Sequence, residues 1–428
     1  MAGGIKQRHN AKDGAGKRKA LLKSSSGIPA TNPFQTDSSL PAREKAKLAL
    51  GVILVPVKIA LMIICIFLQT IIYRLSVIGV DPEKPLPAWR YRMQRYSSRF
   101  FGTILMGCFG IFWPKTKGSR AHGADCRMLV VAPHSTPMDA LLSMCLMGAP
   151  TGVGKIELKH TLFGPMFTAG QTIFVDREDK NNRKQVADEI RDRISVSSPW
   201  RRQLALAPEG TCTNRTSLIQ FKKGAFEPGA PVQPVLLRWE YKSFDPSWTA
   251  AAPNRGLVVI RSLCQFYQGV TVEYLPVYYP NEKEKKDPTL FAGNVRSLMA
   301  KTLGVPTSEF TYPDSFLAKE ASKCKLRPDC VLPFTFHSFQ EEMEPLGVKE
   351  DLFELSKTLL IRFSKAPGMS PRARMSQEQF SAVAADAAKD IGLDKPISWD
   401  EISKHSRGTD QTISFHAFLV TYLEKRYS

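Results

Sequence analysis

The sequence predicts an α/β protein: a mixed sheet with flanking helices, an N-terminal membrane helix or hairpin, and an all-α C-terminal region. Between about residues 125 and 280, short apolar runs rich in β-branched residues alternate with helix-like segments. Residues 48–73 are almost wholly apolar. Beyond about residue 290, the patterns are helical only. These three observations together predict the fold class.

The central region supplies the predicted strands. Residues 128–132 read Met-Leu-Val-Val-Ala and are followed by Pro133, which is typical of a short buried strand. Helices are predicted at residues 137–146 and 181–194, and Pro137 suits the first turn of the former because no N–H is needed there. Further strands are predicted at residues 172–176, 203–207, 232–238 and 271–277.

The N-terminal part is predicted to associate with a membrane. Residues 1–43 are rich in Gly, Ser, Lys and Arg and predict a disordered basic tail. Residues 48–73 are long enough to cross a bilayer, and Lys58 is their only charge. Because Pro56 and Lys58 divide this segment, both a tilted span and a hairpin that returns to its starting side remain open.

A second apolar stretch covers residues 100–114. It is short for a span, so it is either an interfacial or re-entrant segment or a buried core helix. We therefore assign residues 44–120 to a membrane-associated helical region.

The formal charge of +19 implies an anionic partner. Nucleic acid, phospholipid head groups and the phosphates of a coenzyme all satisfy this requirement. The apolar segments favour lipid, so we expect an integral membrane protein that does not bind nucleic acid.

The C-terminal region, residues 314–428, is predicted to be helical. Residues 348–363 carry a helical pattern, and Ser376 with Gln379 forms a capping box at the start of another helix. A second helical unit runs from Trp399 to the end. The region therefore ends in a helix-loop-helix outline.

One loop of this region, residues 406–417, resembles an EF-hand calcium loop, with Ile413 at the central apolar position. Asp410 is its only carboxylate, because three ligand positions hold Ser406, Gly408 and Ala417. The cysteines show neither a Cys-x-x-Cys motif nor a zinc spacing. We therefore predict a degenerate EF-hand-like module and no metal site.

His134 and Asp139 lie five positions apart at the end of the first predicted strand. His134 falls on the connecting loop. Asp139 falls in the first turn of the next helix, where the helix dipole favours a carboxylate that can reach back to the imidazole. A histidine oriented by an aspartate is a general base. An isolated pair of this kind is more often a loop histidine capped by a nearby acid, so other sequence motifs must decide whether His134 is catalytic.

Two further loops suit an anionic substrate. Arg177 follows the strand predicted at residues 172–176 and could grip a phosphate bidentately, or form a surface ion pair with Glu178 or Asp179. Glu209, Gly210 and Thr211 follow the strand predicted at residues 203–207; they offer a polar loop open to a ligand, or simply a common turn.

The order and spacing of these blocks resemble the membrane-bound glycerolipid acyltransferases with a His-x4-Asp motif, the 1-acyl-glycerol-3-phosphate acyltransferase family. Within it, the lysophosphatidylcholine acyltransferases are most similar. The likeness covers roughly residues 48–318 and implies the glycerolipid acyltransferase fold for a domain at residues 121–313. It is carried by His134 with Asp139, residues 170–177, the run Pro208-Glu-Gly-Thr-Cys-Thr-Asn-Arg-Thr216, and Phe221-Lys-Lys-Gly-Ala-Phe226.

The resemblance implies direct transfer of an acyl group. His134, oriented by Asp139, would take the proton from a lysophospholipid hydroxyl, which attacks the thioester of acyl-CoA. No acyl-enzyme, metal or bound cofactor is expected, and acyl-CoA is a co-substrate. By the same resemblance, Arg177 and the Glu209-Gly210-Thr211 loop bind the glycerophosphate of the acceptor.

The acceptor is expected to be lysophosphatidylcholine. Lysophosphatidate acyltransferases usually have an arginine directly after Glu-Gly-Thr, whereas this chain has Cys212. A lysophosphatidate acyltransferase and a lyso-platelet-activating-factor acetyltransferase remain alternatives, as does a catalytically silent membrane adaptor. The resemblance implies the endoplasmic reticulum, with the lipid droplet or Golgi as alternatives.

Overall fold

The computed structural model describes residues 32–427 except 38, 82–83, 177–178, 196, 201, 241–243, 253, 328–330, 332–334, 345–350 and 405–411. The chain forms two compact units. One is Pro33–Ser308, and the other contains Glu309–Ser428. The first unit includes the predicted membrane-associated region and the predicted acyltransferase domain except for residues 309–313.

A mixed sheet forms the centre of the first unit, as predicted. In the described residues its order is β1-β7-β6-β2-β5-β3-β4. Strands β2 to β6 run parallel to one another, whereas β7 is antiparallel to β6 and β1 is parallel to β7. The strands are β1 (Lys115–Lys117), β2 (Met128–Ala132), β3 (Thr151–Lys155), β4 (Ile173–Val175), β5 (Leu204–Leu206), β6 (Val232–Glu240) and β7 (Gly269–Tyr274).

This topology brings the ends of β2 to β6 to one edge of the sheet, here called the carboxyl edge. Strands β1 and β7 begin at that same edge because their direction is reversed. The register of β6 and β7, in which Glu240 lies opposite Gly269, establishes this. Loops at the carboxyl ends of parallel strands commonly form ligand sites.

Helices cover both faces of the sheet. Short 3₁₀ turns occur at Val52–Leu54, Ile156–His160 and Lys223–Ala225. The described helices of this unit are α1 (Ala42–Gly51), α2 (Val55–Val77), α3 (Ala88–Cys108), α4 (Met138–Leu146), α5 (Gly164–Ala169), α6 (Lys180–Ile194), α7 (Arg255–Leu263), α8 (Glu282–Lys286) and α9 (Pro288–Leu303).

Strand β2 is buried on both faces and joins two hydrophobic cores. Val130 packs in the core that contains side chains of α6 and α9. Its neighbour Leu129 packs in the core that contains side chains of α3 and α4. Successive strand residues point to opposite faces, so an uninterrupted apolar run is needed in a strand covered on both sides.

The five predicted strands are confirmed to within three residues at each end. Strands β1 and β3 were missed. The sequence of β1 is Lys-Thr-Lys at the exposed end of the sheet, and β3 reads Thr-Gly-Val-Gly-Lys. Neither carries an apolar or alternating pattern, so their neighbours in the sheet decide their conformation.

Of the two alternatives for residues 48–73, the hairpin that reverses inside this segment is wrong, and the single helix agrees with the structure. Helical structure runs from α1 through α2, and Pro56 is the second residue of α2, where its missing N–H breaks no bond. The chain reverses after Val77 instead, and α3 returns against α2. Gln69 donates to the Ser98 hydroxyl at 3.1 Å, and Arg90 donates to the Ser76 carbonyl at 3.2 Å, which shows an antiparallel hairpin.

Helix α2 has one buried and one exposed face. The segment Ala42–Val77 is long and apolar enough to cross a membrane by length and composition. The buried positions include Cys65, Gln69, Tyr73 and Ser76, whose spacing of three or four residues defines one stripe. Most of the remaining apolar side chains are exposed.

Two predictions about flanking segments need correction. The disordered tail does not extend to residue 43, because Phe34 is fully buried and Thr36 donates to the Ser247 carbonyl at 3.1 Å. Residues 1–31 lie outside the described residues. In the stretch 100–114, the first part belongs to α3 and Met106 is buried in the core, so the core-helix alternative holds there.

The second unit is mainly helical. The capping box at Ser376 and Gln379 is confirmed. The two short strands β8 (Arg374–Met375) and β9 (Ile413–Ser414) pair antiparallel between helical segments. The first half of the predicted calcium-type loop, residues 406–411, lies outside the described residues. The helices are α10 (Tyr312–Lys323), α11 (Phe336–Met343), α12 (Leu352–Ser364), α13 (Gln377–Asp390), α14 (Trp399–Ser403) and α15 (Phe415–Tyr427).

Candidate active site

The candidate site lies at the carboxyl edge of the sheet. His134 follows β2, and Glu209 follows β5, the strand that pairs with β2 on one side. Trp239 lies near the end of β6, which pairs with β2 on the other side. Parallel pairing therefore brings three segments together that are up to about a hundred residues apart in sequence.

The imidazole of His134 contacts the carboxylate of Asp139. Nδ1 of His134 lies 2.9 Å from Oδ2 of Asp139, the second residue of α4. The same Oδ2 accepts the backbone N–H groups of Ser135 at 2.7 Å and Thr136 at 2.9 Å. Oδ1 accepts the indole N–H of Trp239 at 2.9 Å. Both oxygens of this buried carboxylate therefore have hydrogen-bond partners that fix its orientation.

The backbone around His134 is held from three directions. Its N–H donates to Oε2 of Glu209 at 2.6 Å, and its carbonyl accepts the N–H of Thr213 at 2.8 Å. The carbonyl of Ser135 accepts the N–H of Trp248 at 2.7 Å. The His134 side chain is nevertheless 28% exposed, so a rigid loop presents a reachable imidazole.

The surroundings change the pKa values of His134 and Glu209. Burial opposes charge on His134, but its interactions with Cys212 and Asp139 outweigh this effect, and its pKa lies well above the ordinary value. Burial raises the pKa of Glu209 to about 7, although the N–H groups of His134 and Ile219 act in the opposite direction.

Three buried side-chain oxygens around the His134 loop have no hydrogen-bond partner among the described residues. They are Oγ of Ser135, Oε1 of Glu209 and Oγ1 of Thr213. Buried polar atoms are normally paired, with protein or with ordered water. Ordered water is the ordinary partner for such oxygens.

The loop after β5 combines a glycine with a cation. Gly210 has φ +66°, a conformation that favours glycine. A Cβ at this position would lie 2.7 Å from Cε and 2.9 Å from Nζ of Lys222. The ammonium group of Lys222 therefore lies directly over Gly210. Thr211 and Cys212 follow and are partly exposed.

The structure describes every predicted site residue except Arg177. His134, Asp139, Glu209, Gly210 and Thr211 meet at the carboxyl edge, whereas Arg177 lies outside the described residues. The described residues contain no group of three or more His, Cys, Asp or Glu side chains that could hold a metal ion.

Sequence reasoning missed three contacts of this site. Trp239 contacts Asp139 from a distant strand, and no local signal marks it. Lys222 was noted only as part of a motif. Cys212 was considered for the arginine it replaces, whereas its thiol interacts with the imidazole of His134. Each contact depends on the tertiary structure.

Comparisons of this chain with a family model and with known proteins both match acyltransferases. Residues 115–238 match the family model described as Acyltransferase. Lysophosphatidylcholine acyltransferase 1 of Homo sapiens is 34% identical over 376 residues, which cover 86% of this chain and 66% of that protein. The protein of the same name from Rattus norvegicus is 33% identical over 373 residues, which cover 85% and 68%.

A solved structure also shows similarity. The crystal structure of the 1-acyl-sn-glycerophosphate (LPA) acyltransferase PlsC from Thermotoga maritima aligns with 61% of this chain and 96% of its own. The sequence identity is 15% and the TM-score is 0.39, which is too low to establish a shared fold.

This chain spans about two thirds of the length of those two mammalian relatives. The matched family model covers the strands that carry His134 and Glu209, and the relatives extend the match over most of the chain. The chain belongs to the lysophosphatidylcholine acyltransferase family.

Proposed function

We propose that the protein transfers an acyl group from acyl-CoA to the free hydroxyl of lysophosphatidylcholine, in phospholipid remodelling. The observation that carries this proposal is the contact of His134 Nδ1 with the buried carboxylate of Asp139. With Nδ1 protonated and held by Asp139, the lone pair of Nε2 is available as a base. The names of the curated relatives support the acceptor.

The reaction needs one proton carrier. Nε2 of His134 takes the hydroxyl proton of the acceptor as the acceptor oxygen forms a bond to the thioester carbonyl carbon. The tetrahedral intermediate then breaks its carbon–sulfur bond. The departing CoA sulfur receives the proton from Nε2, so His134 returns to its starting state.

Asp139 is assigned to orientation of the base. Its carboxylate fixes the imidazole tautomer and stabilises the positive charge that appears during proton transfer. Trp239 and the N–H groups of Ser135 and Thr136 hold this carboxylate in place.

The loop after β5 is assigned to acceptor binding. Gly210 allows close approach of a ligand, Thr211 supplies a hydroxyl, and Lys222 brings an ammonium group to the same loop. The described contact of Glu209 is with the main chain of His134, and its role toward the acceptor stays a prediction from the resemblance. The same holds for Arg177 as a phosphate ligand.

The apolar helix and the relatives are consistent with a membrane-associated protein. We propose anchoring at the endoplasmic reticulum, with the lipid droplet or Golgi as alternatives. Helix α2 is tied to the first unit near both ends: Lys58 donates to the Leu263 carbonyl at 2.6 Å, and Tyr73 packs with Met166 and Ala169. A helix attached in this way lies along the enzyme, so we propose that it enters one leaflet without crossing.

This topology leaves His134 on the side of the N-terminus, where cytosolic acyl-CoA can reach it. Asn214 lies in a glycosylation sequon, and its side-chain amide donates to the Gln35 carbonyl at 2.9 Å. We expect Asn214 to remain unmodified in cells. A glycan attached there would place the site in the lumen and contradict the topology.

The C-terminal unit is proposed to contain a degenerate EF-hand-like module. The short β8–β9 pairing, in which Met375 lies opposite Ile413, supports a paired helix-loop-helix arrangement. Because the sequence of the second loop has Asp410 as its only carboxylate, calcium at physiological levels should not bind. A calcium titration followed by isothermal calorimetry tests this, and heat of binding at micromolar calcium would contradict it.

The decisive experiment is an acceptor panel. Membranes that express the wild type, His134→Ala or His337→Ala receive labelled acyl-CoA with lysophosphatidylcholine, lysophosphatidate or lyso-platelet-activating factor. His337 is an exposed histidine of the other unit and serves as the matched control.

We expect the wild type and the control to acylate lysophosphatidylcholine, and His134→Ala to lose activity by about 10²- to 10⁴-fold. Unchanged activity in His134→Ala would overturn the mechanism and leave the silent adaptor as the better hypothesis. A strong preference for lysophosphatidate, or transfer of acetyl groups to lyso-platelet-activating factor, would replace the proposed acceptor.

A further inference from the structure

Four large aromatic side chains are exposed in two neighbouring loops of the first unit. Phe112 and Trp113 precede β1, and Phe266 and Tyr267 precede β7. Trp113 is 74% exposed and Tyr267 is 52% exposed. We call these four residues the aromatic edge patch. Single exposed apolar residues are common, but a clustered set needs an explanation.

The two loops are joined by hydrogen bonds. The backbone N–H of Gln268 donates to the Gly110 carbonyl at 2.8 Å, and its side-chain amide donates to the Phe109 carbonyl at 2.8 Å. Gly110 has φ +77°, and a Cβ there would lie 2.9 Å from the Gln265 carbonyl oxygen. The loops therefore touch through their backbones, which supports a defined arrangement of the aromatic side chains.

The patch lies at the same edge of the sheet as His134. Strands β1 and β7 begin at the carboxyl edge, where β2 ends and delivers His134. In the sheet order, β7 is two strands and β1 is three strands from β2. At a spacing of about 4.8 Å between strands, the patch lies on the order of 10 to 15 Å to one side of the site.

The patch is continuous with the exposed apolar face of α2. Lys58 of α2 donates to the Leu263 carbonyl at 2.6 Å, and Val55 packs with Leu263 and Cys264, directly before the second aromatic loop. Phe109, directly before the first loop, packs against the same cluster. The helix and the two loops therefore expose apolar groups side by side.

We propose that the aromatic edge patch inserts into the head-group region of a phospholipid bilayer and holds the carboxyl edge against the leaflet that carries the acceptor. This inference rests on the proposed function, because it takes the acceptor to be a membrane lipid. Tryptophan and tyrosine favour the boundary between hydrocarbon and water, where the ring is buried and its polar atom stays wet.

The neighbouring charges fit the same occupant. Lys115 and Lys117 lie two and four residues after Trp113 and are exposed, and Lys115 Nζ lies 3.7 Å from Oε1 of Glu240. Cations beside an apolar insertion are attracted to anionic lipids, and the chain as a whole carries +19. A lipid surface therefore matches both the apolar and the charged parts of the patch.

The first test compares two presentations of the same acceptor to the purified full-length protein. Lysophosphatidylcholine is offered in phosphatidylcholine vesicles, or as a short-chain form dispersed below its micelle concentration. The variants are Phe112→Ser with Trp113→Ser, and Phe266→Ser with Tyr267→Ser. Tyr279→Ser is the matched control, because Tyr279 is 66% exposed but follows the end of β7, away from the carboxyl edge.

We expect each double variant to lose about tenfold in kcat/KM on vesicles and to keep full activity on the dispersed acceptor, with the control unchanged on both. Equal losses on both presentations, or no loss on vesicles, would overturn the proposal. The dispersed acceptor also verifies that each variant is folded. It separates failure of the patch from failure of the proposed function.

A second measurement does not depend on activity. Vesicles with brominated phosphatidylcholine quench tryptophan fluorescence at the depth of the bromine atoms. These vesicles should quench part of the wild-type tryptophan fluorescence, and this quenched part should be absent from Trp113→Phe. Equal quenching of both proteins would show that Trp113 does not enter the bilayer and would overturn the proposal.

Discussion

The indole nitrogen of Trp239 donates a hydrogen bond to Oδ1 of Asp139, 2.9 Å away, while Oδ2 of the same carboxylate contacts His134. Trp239→Phe removes that donor and leaves a carboxylate oxygen buried without it, which costs about 1–3 kcal/mol. We expect about tenfold lower kcat and reduced thermal stability. Steady-state kinetics and a thermal melt measure both. Trp399→Phe, in the other unit, controls for loss of an indole, and an unaltered kcat would contradict the positioning role.

The pH profile should report the raised pKa of His134. The base is active only when neutral, so kcat/KM of the wild type should rise with pH and level off above the raised pKa. Asp139→Asn removes the carboxylate that favours the imidazolium. Its profile should therefore shift to lower pH, while its maximum falls by about 10²-fold or more. An unshifted inflection in the variant would mean that another group limits the rate.

Glu209 should make the protein less stable as pH rises. Burial raises its pKa to about 7 from 4.5, so between these values the folded state holds a proton that the unfolded state has lost. The free energy of unfolding should fall over that range, by roughly 3 kcal/mol at most. Glu209→Gln cannot titrate and should lack this decrease, whereas exposed Glu282→Gln should behave as wild type. Chemical denaturation at pH 5 and pH 8 measures the free energy of unfolding at each pH. An equal change between the two pH values in the wild type and in Glu209→Gln would refute the prediction.

Cys212 should be dispensable for transfer yet sensitive to modification. Its thiol interacts with the imidazole of His134, but direct transfer uses no thiol nucleophile. We expect Cys212→Ser to keep activity within about threefold of wild type. Alkylation should block the wild type and spare Cys212→Ser, whereas Cys324→Ser, which lacks another partly exposed cysteine, should remain sensitive. Loss of activity in Cys212→Ser by 10²-fold or more would instead indicate a covalent acyl-cysteine.

Lys222 should contribute to acceptor affinity. Its ammonium group lies over Gly210, in the loop that we assign to acceptor binding, where it could pair with the acceptor phosphate. Lys222→Met should raise the KM for lysophosphatidylcholine about tenfold and change kcat little, because the phosphate does not react. The adjacent Lys223→Met is the matched control, since Lys223 pairs with Glu227 at 3.7 Å on the surface. Equal KM values in the two variants would remove Lys222 from the acceptor site.

Most of the strands that the sequence predicted carry an apolar run, as in β4 (Ile-Phe-Val) and β5 (Leu-Ala-Leu). Strand β2 is apolar at every position, and this pattern is visible without knowing its neighbours. Strand β1, by contrast, is Lys-Thr-Lys and owes its conformation to pairing with β7. The hairpin alternative for residues 48–73 arose for a related reason: Pro56 looks like a break in isolation, whereas at the start of a helix it is tolerated.

The sequence by itself determined the pairing of His134 with Asp139, because five residues span one turn between a strand and a helix and the contact is local. It also determined that an apolar helix precedes the sheet. Only the tertiary structure decided that Trp239 and Lys222 join the site, that Glu209 accepts the His134 N–H, and that the aromatic edge patch shares its edge. Those contacts depend on which strands become neighbours. That choice follows from burial of both faces of the whole sheet, which no local pattern encodes.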